Sequence, residues 1–291
     1  MHGKTVLVTG GTAGIGKETA RGLARLGANV ILVGRNPDRA RSAADELSRE
    51  ATGQVMALPT DLSDLAGLRR LAEQVAERYD RLDVLVNNAG GMNVERRLTR
   101  DGVEATFAVN VLAPYALTCL LLPLLRTAGR ARAVNLTGGL PDGTIDPDNL
   151  QGEKVFLGWT FTQYNHTKTA LMAMSHRFAS RLEGEGVTVN VAYPGHAYTP
   201  GNQAIPMRAF PYLYRPVVPV IRLLGPLLLS DVAKAARSSV YLASSPEAEE
   251  VTGAYFDAKT RRAPWPSGAL DEWGQEAVWS LCERLSGLRP E

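Results

Sequence analysis

Apolar residues in this chain fall mostly into short unbroken runs instead of alternating with polar ones. TVLVT (5–9), NVILV (29–33), QVMAL (54–58), DVLVN (83–87), RAVNL (132–136) and VTVNVAY (187–193) each read as a strand covered on both faces, with AYFD (254–257) as a short last one. Between them the apolar positions recur at helical spacing: Gly14 to Leu26, Arg39 to Glu50, Leu65 to Tyr79, Asp101 to Leu125, Phe161 to Glu183 and Asp231 to Ala243. Strands alternating with helices predict α/β architecture: one doubly wound parallel sheet of about seven strands within a single domain spanning 1–291. Ligands of such sheets bind at the carboxyl ends of the strands.

One segment breaks this rhythm. Thr199 to Leu229 carries six prolines and ends in VVPVIRLLGPLLL. A long insertion after the carboxyl end of strand six predicts a lid over a pocket. A surface excursion packed on the core fits the same residues. Contact with a membrane surface fits less well, because the polar face is thin in Lys and Arg.

Bulk properties narrow the choice of partners. Of 291 residues, 45% are hydrophobic and 21% charged, and 32 basic residues nearly balance 30 acidic ones for a net charge of +2. That leaves no general attraction towards nucleic acid or anionic lipid. Cys119 and Cys282 are the only thiols and both lie in apolar helical patterns, which predicts no disulfide framework and a reducing cytoplasm. The first strand starts at Thr5, leaving no room for a signal peptide before it. The longest apolar stretch, Val111 to Leu125, holds Pro114, Thr118 and Pro123 and reads as a buried helix too short to span a bilayer. No integral membrane segment is expected.

Candidate chemistry begins where the first strand turns into the first helix, at TGGTAGIGK (9–17). Glycines there permit a tight turn and close approach of backbone N–H groups to a pyrophosphate at the helix N-terminus. Gly10, Gly14 and Gly16 are spaced four and two apart, unlike the two and three of GxGxxG. A plain tight turn fits the glycines alone, but their place at the head of a βαβ series favours nucleotide.

Together with NNAG (87–90), Tyr164-Asn165-His166-Thr167-Lys168, and Pro194-Gly195 followed by Thr199, this loop resembles the short-chain dehydrogenase/reductase family. GIGKETA (14–20), GRNPDRA (34–40), TIDPDNLQGEK (144–154) and AVWSLCERLSGL (277–288) make it most similar to the retinol-dehydrogenase-like branch. The resemblance implies a Rossmann-type domain. The cofactor would lie along Gly10, Thr12, Ala13, Gly14, Ile15 and Gly16, beside Asp61 and Leu62 at the adenine, and against Asn88, Ala89 and Gly90 at the ribose. Pro194, Gly195, Ala197 and Thr199 would hold the nicotinamide side. Asp61 fits equally well as the N-cap of the next helix. Strand two ends in VGRN, with Arg35 where an acid would select NAD; a guanidinium matches a 2′-phosphate, so NADP(H) is expected, with Lys17 as a second cation.

Tyr164 and Lys168 lie four apart on one helix face. A phenol is a poor base at neutral pH, but an adjacent ammonium favours the phenolate. Tyr164 is therefore the expected acid/base and Lys168 its tuner; the resemblance implies that Lys168 also grips the nicotinamide ribose. The resemblance assigns Asn110 to a water relay; a buried Asn satisfied by backbone groups is the competing reading. His166 falls on another helical face and receives no chemistry, whereas His196, after Pro194-Gly195, is either a substrate contact or a turn residue.

The strand RAVNL raises the sharpest question. The family usually ends it in two serines, the second donating to the reacting oxygen, and here these positions are Thr137 and Gly138. A hydroxyl one residue early points to the other side of a strand. Either Gly138-Gly139 lets the chain bend so that Thr137 serves, or the usual donor is gone, at a cost of roughly 100- to 1000-fold in rate.

The reading expected is an NADP(H)-dependent oxidoreductase of carbonyl reductase or alcohol dehydrogenase type, acting on a hydrophobic small molecule, with Trp159 near its site. A non-redox enzyme on the same fold, using Tyr164 as acid/base for cyclisation, dehydration or isomerisation, stays open. So does a non-catalytic NADP-binding protein. The long helices 101–125 and 161–183 resemble those that pair in family dimers, implying a homodimer or homotetramer; burial against the chain's own sheet fits them as well. No metal ligand is assigned.

Overall fold

The computed structural model describes residues 1–139, 143–156, 162–195, 215–216, 218–219 and 231–290. The expected lid, 199–229, lies outside the described residues except at those four positions, as do Trp159, His196, Ala197 and Thr199.

Among the described residues, eight strands form one sheet in the order β3-β2-β1-β4-β5-β6-β7-β8. They are β1 (Thr5–Thr9), β2 (Asn29–Gly34), β3 (Val55–Pro59), β4 (Val84–Asn87), β5 (Ala131–Leu136), β6 (Val187–Ala192), β7 (Tyr255–Phe256) and β8 (Arg262–Ala263). All neighbours are parallel except β8, which pairs antiparallel with β7 and adds a strand to the seven expected. It is two residues long, too short for any hydrophobic pattern to announce it.

Successive strand residues point to opposite faces, and the core divides accordingly. Leu7, Ile31, Leu85 and Ala133 pack under α3 (Leu65–Ala76), α4 (Ala105–Thr127), α5 (Thr162–Arg181) and the C-terminal α9 (Glu272–Ser286). Val6, Val8, Leu32 and Val86 pack on the other side under α1 (Gly14–Arg25), α2 (Pro37–Ser48) and α7 (Arg237–Ser244), which follows the short α6 (Val232–Ala235). The short α8 (Ser267–Leu270) leads into α9.

Helix boundaries follow their caps. Asn36 accepts from Arg39 N at 2.9 Å with Pro37 in the first turn, so α2 starts two residues before the apolar pattern suggests. α3 is capped by Asp64, which accepts from Ala66 N at 3.1 Å; Asp61 instead closes a turn on Ser63 N and Oγ, and the N-cap assigned to it is corrected. α4 starts at Ala105, not Asp101. The fully buried Glu104 carboxylate caps it, accepting from Thr106 N at 2.7 Å and Phe107 N at 2.8 Å.

With 23 residues and a mean hydropathy of 1.9 over its most apolar 18-residue window, α4 is by length and composition long enough to cross a membrane, which corrects the shorter estimate. Its apolar window is 78% buried within the fold, so its length serves the core. α9 lies on α4 and α5: Trp279 packs against Tyr115 at 5.2 Å and Phe178 at 4.8 Å between ring centroids, and all three are buried. Part of the face expected to pair between subunits is therefore covered by the chain's own C-terminal helix.

Candidate active site

The glycine loop and the turn after β4 are knitted into one surface. Asn88 Nδ2 donates to Thr9 O at 2.8 Å, and Ala89 N donates to Thr9 Oγ1 at 3.0 Å. Gly10 and Gly14 take left-handed φ of 65° and 55°. A Cβ on Gly16 would collide with Asn88 Nδ2 and Gly10 O, so this glycine is what lets α1 approach the turn. Thr12 packs on Gly34, where an added Cβ would lie 2.6 Å from its Cγ2, bringing the loop to the end of β2. α1 has no side-chain cap at Ala13 and no acid in its first turn. Its first N–H groups therefore lack a side-chain acceptor among the described residues, as an anion site requires. Ile15 is half-buried behind the loop, its carbonyl accepting from Thr19 Oγ1 at 2.9 Å.

At the mouth of this cradle Arg35 is exposed, with no ion pair among the described residues. Lys17 does not join it. Its ammonium pairs with Glu46 at 2.5 Å, in a network with Arg21, so the second cation expected at the phosphate is engaged elsewhere. Asp61 is exposed one position before buried Leu62. Pro194 and Gly195, the latter with φ 75°, follow β6 at the other end of the strand edge.

Tyr164 and Lys168 leave the first turns of α5 towards the ends of β4 and β5. Lys168 Nζ donates to Leu136 O at 3.1 Å and stands 6.0 Å from the centre of the Tyr164 ring. A Cβ on Gly90 would sit 2.9 Å from Lys168 Nζ and 3.2 Å from Asn110 Oδ1. The absence of a side chain there lets the turn approach both the amine and the amide. Asn110 lies in a π turn, Ala108–Leu112, a local irregularity common at functional sites. Its Nδ2 donates to Gly91 O and Thr167 Oγ1, and its Oδ1 accepts from Gly91 N. Protein groups thus satisfy most of its capacity.

Burial dominates the electrostatics. It pushes the Tyr164 phenol up to about 12, with the nearby Tyr193 adding to the effect, and the Lys168 amine down to about 8. The expectation that the ammonium draws the phenol down to phenolate is therefore reversed in the protein alone: the phenol keeps its proton at neutral pH.

The end of β5 answers the question of the serine. Thr137 Oγ1 is buried and reaches Lys168 O at 3.5 Å, on the inner side of the strand. Gly138 faces the phenol: a Cβ there would lie 2.8 Å from Tyr164 Oη and 4.0 Å from Lys168 Cε. The bend that Gly138-Gly139 permits, with φ 72° at Gly139, does not turn Thr137 towards the phenol.

Two residues missed from the sequence hold this arrangement. Buried Gln163 donates to Glu104 Oε2 at 3.1 Å and to Leu150 O at 3.1 Å, joining the capped start of α4 to the first turn of α5. A Glu before an apolar helix is an uncommon cap, so neither residue carried a recognisable signal.

Both clusters lie at the carboxyl ends of β1 and β4, between which the strand order reverses, and that switch point is where doubly wound sheets bind ligands. The arrangement is that of an α/β oxidoreductase of the dinucleotide-binding class. The chain belongs to the short chain dehydrogenase family, whose model matches residues 4–142. Human retinol dehydrogenase 13 is 36% identical over 296 residues, covering 99% of this chain and 86% of that protein. Human dehydrogenase/reductase SDR family member 13 is 33% identical over 294 residues, covering 100% of this chain and 75% of that protein. Among solved structures, the Pseudomonas aeruginosa RhlG/NADP active-site complex matches with a TM-score of 0.67 and 29% identity, over 88% of this chain and 95% of that one.

Proposed function

We propose that this protein is an NADP(H)-dependent carbonyl reductase or alcohol dehydrogenase acting on a hydrophobic small molecule. The observation that carries the reading is the convergence of Tyr164 Oη, Lys168 and Asn110 Oδ1 on Gly138 and Gly90, beside a glycine cradle whose helix start is uncapped. The residues fit a dinucleotide: Gly10 and Gly16 bring the loop and the start of α1 tight against the turn after β4, the uncapped N–H groups of α1 suit a pyrophosphate, and Arg35 offers a guanidinium to a 2′-phosphate. The RhlG neighbour, a complex with NADP, and relatives named retinol dehydrogenase agree with this choice of cofactor and with an apolar substrate.

When bound, the nicotinamide supplies or takes the hydride. The chain's own part is proton control. Tyr164, held neutral by burial, is ready to donate its proton to a developing alkoxide, which favours the reducing direction. Lys168, still largely protonated near pH 7, stabilises the phenolate left behind. Lys168 and Asn110, placed around Gly90, suit a ribose hydroxyl and a proton path to solvent. With Gly138 lacking a hydroxyl, the reacting oxygen relies on Tyr164 alone among the described residues at the ends of β4 and β5. Buried, reduced Cys119 and Cys282 fit a reducing compartment such as the cytoplasm. Assembly into a homodimer or homotetramer through α4 and α5 would use the surface that α9 leaves.

Incubation with NADPH and a panel of apolar aldehydes and ketones tests the reading. Cofactor oxidation that falls at least about 100-fold in Tyr164→Phe is expected; oxidation insensitive to that change refutes it. Gly138 also favours a second reading, proton transfer by Tyr164 without redox chemistry. Product formation with unchanged nicotinamide absorbance would select it.

A further inference from the structure

His166 lies two residues beyond Tyr164, on the side of α5 turned from the strand ends, and is buried. Its Nε2 accepts a hydrogen bond from Asp146 N at 2.9 Å. Asp146 starts a shelf running to Phe156, pinned internally by Asn149, whose Oδ1 accepts from Lys154 N and Val155 N and whose Nδ2 donates to Val155 O. The first turn of α5 rests on this shelf a second time through Gln163, whose N donates to Phe156 O at 2.8 Å and whose Nε2 donates to Leu150 O. Residues 163 and 166 thus grip the shelf on either side of Tyr164 in sequence. Close packing holds the shelf from beyond: Gly143 and Thr144 crowd Gly268 in α8, and Ile145 Cβ lies 3.0 Å from where a Cβ would stand on Gly274.

We propose that His166 is a positioning residue: in its neutral form it fastens the 146–156 shelf to α5 and so fixes Tyr164, and on protonation it releases it. Only unprotonated Nε2 can accept the Asp146 N–H; an imidazolium has no acceptor. The inference rests on the function proposed above for its catalytic consequence, but the tie itself is independent of substrate. The charged groups acting on the ring are Asp146 and Glu153, both on the shelf and both favouring the proton; burial outweighs them and lowers its pKa. On its own helix, Tyr164 and Lys168 point to the strand ends. No charged group of α8 or α9 acts on it among the described residues.

Hydrogen exchange of the Asp146 amide reads the tie directly. After correction for the intrinsic exchange rate, the wild-type protein is expected to lose protection progressively as the pH falls from 7.5 to 4, by at least about tenfold at the acid end. His166→Gln keeps an acceptor that does not titrate, so its protection should persist across that range. His166→Leu should leave the amide open at both ends of it. In parallel, NADPH oxidation with all-trans-retinal as probe should show an acid limb in kcat for the wild type that is missing in His166→Gln. His166→Leu should lose roughly 10- to 100-fold in kcat with its affinity for NADPH unchanged.

Wild-type protection that ignores pH, or His166→Leu protection equal to wild type, overturns the tie. If His166→Leu does not fold, the comparison of wild type with His166→Gln still decides. An identical acid limb in wild type and His166→Gln would refute the link to Tyr164. Exchange behaving as expected while neither retinal nor any other carbonyl is turned over would sink the proposed reaction and leave the tie standing.

Discussion

Gly138 offers the most searching test of the site. A methyl group there would begin 2.8 Å from Tyr164 Oη, whereas ordinary contact starts near 3.4 Å, so Gly138→Ala obliges the phenol to retreat by about 0.6 Å. The backbone tolerates the change, because Gly138, unlike Gly139, has no left-handed φ. Misplacing a reacting group by about 1 Å can cost roughly 100-fold, so Gly138→Ala should lose about tenfold in kcat/KM, about 1.4 kcal/mol of transition-state stabilisation. Gly138→Ser imposes the same crowding but adds a hydroxyl. If a donor is missing at this position, its gain of roughly 100- to 1000-fold outweighs the displacement, and the serine variant should exceed the alanine variant by at least about tenfold. Steady-state NADPH oxidation on an apolar ketone measures both ratios, with thermal melts confirming that each variant is folded. Wild-type activity in Gly138→Ala would refute the placement of the phenol. A serine variant no better than the alanine would refute the missing donor.

Three further outcomes follow from named contacts. Arg35→Ala should raise KM for NADPH about 10- to 100-fold and leave KM for NADH unchanged, as for a lost charge-assisted hydrogen bond; parallel changes for both cofactors would count against a 2′-phosphate role. Lys168 drops from 10.5 to about 8 in the fold, so between those pH values the unfolded chain holds a proton that the folded one has shed, and raising pH through that window stabilises the fold. Urea titration should therefore find Lys168→Met more stable than wild type at pH 7, with the gap narrowing by about 2 kcal/mol by pH 9.5; a constant gap would contradict the buried charge. Trp279→Ala, which empties the aromatic cluster under α9, should cost about 3 to 5 kcal/mol in the same assay, and a cost under about 1 kcal/mol would mean that α9 docks only loosely.

Much of this molecule is written in local pattern, and what is not has identifiable reasons. β1 and β2 announce themselves because strands buried on both faces are apolar almost throughout. The glycine loop and the Tyr164–Lys168 pair are local in sequence, so spacing alone brings each together. Boundaries set by an unusual cap, as at Glu104, escape the pattern, and so does a strand as short as β8. Aspartates three apart, Asp61 and Asp64, offer equivalent caps until the backbone chooses. Lys17 is diverted by Glu46, 29 residues on, and His166 finds its partner 20 residues back; no motif encodes either meeting. The consequence of Gly138 is likewise invisible until α5 is laid against the end of β5.

The bare start of α1 carries a broader consequence. Helices α2, α3, α4 and α9 all begin with a side chain closing their first turn, whereas Ala13, already in the extended conformation that a capping residue adopts, leaves that of α1 open. An aspartate at that position would add about 1 kcal/mol to folding stability and would place a carboxylate where the dinucleotide's own negative charge must settle. The chain therefore forgoes sturdiness in isolation, and occupancy is what completes its architecture. Selecting variants of this protein for heat resistance alone would be expected to fill position 13 early, and to yield a tougher protein that no longer takes up its cofactor.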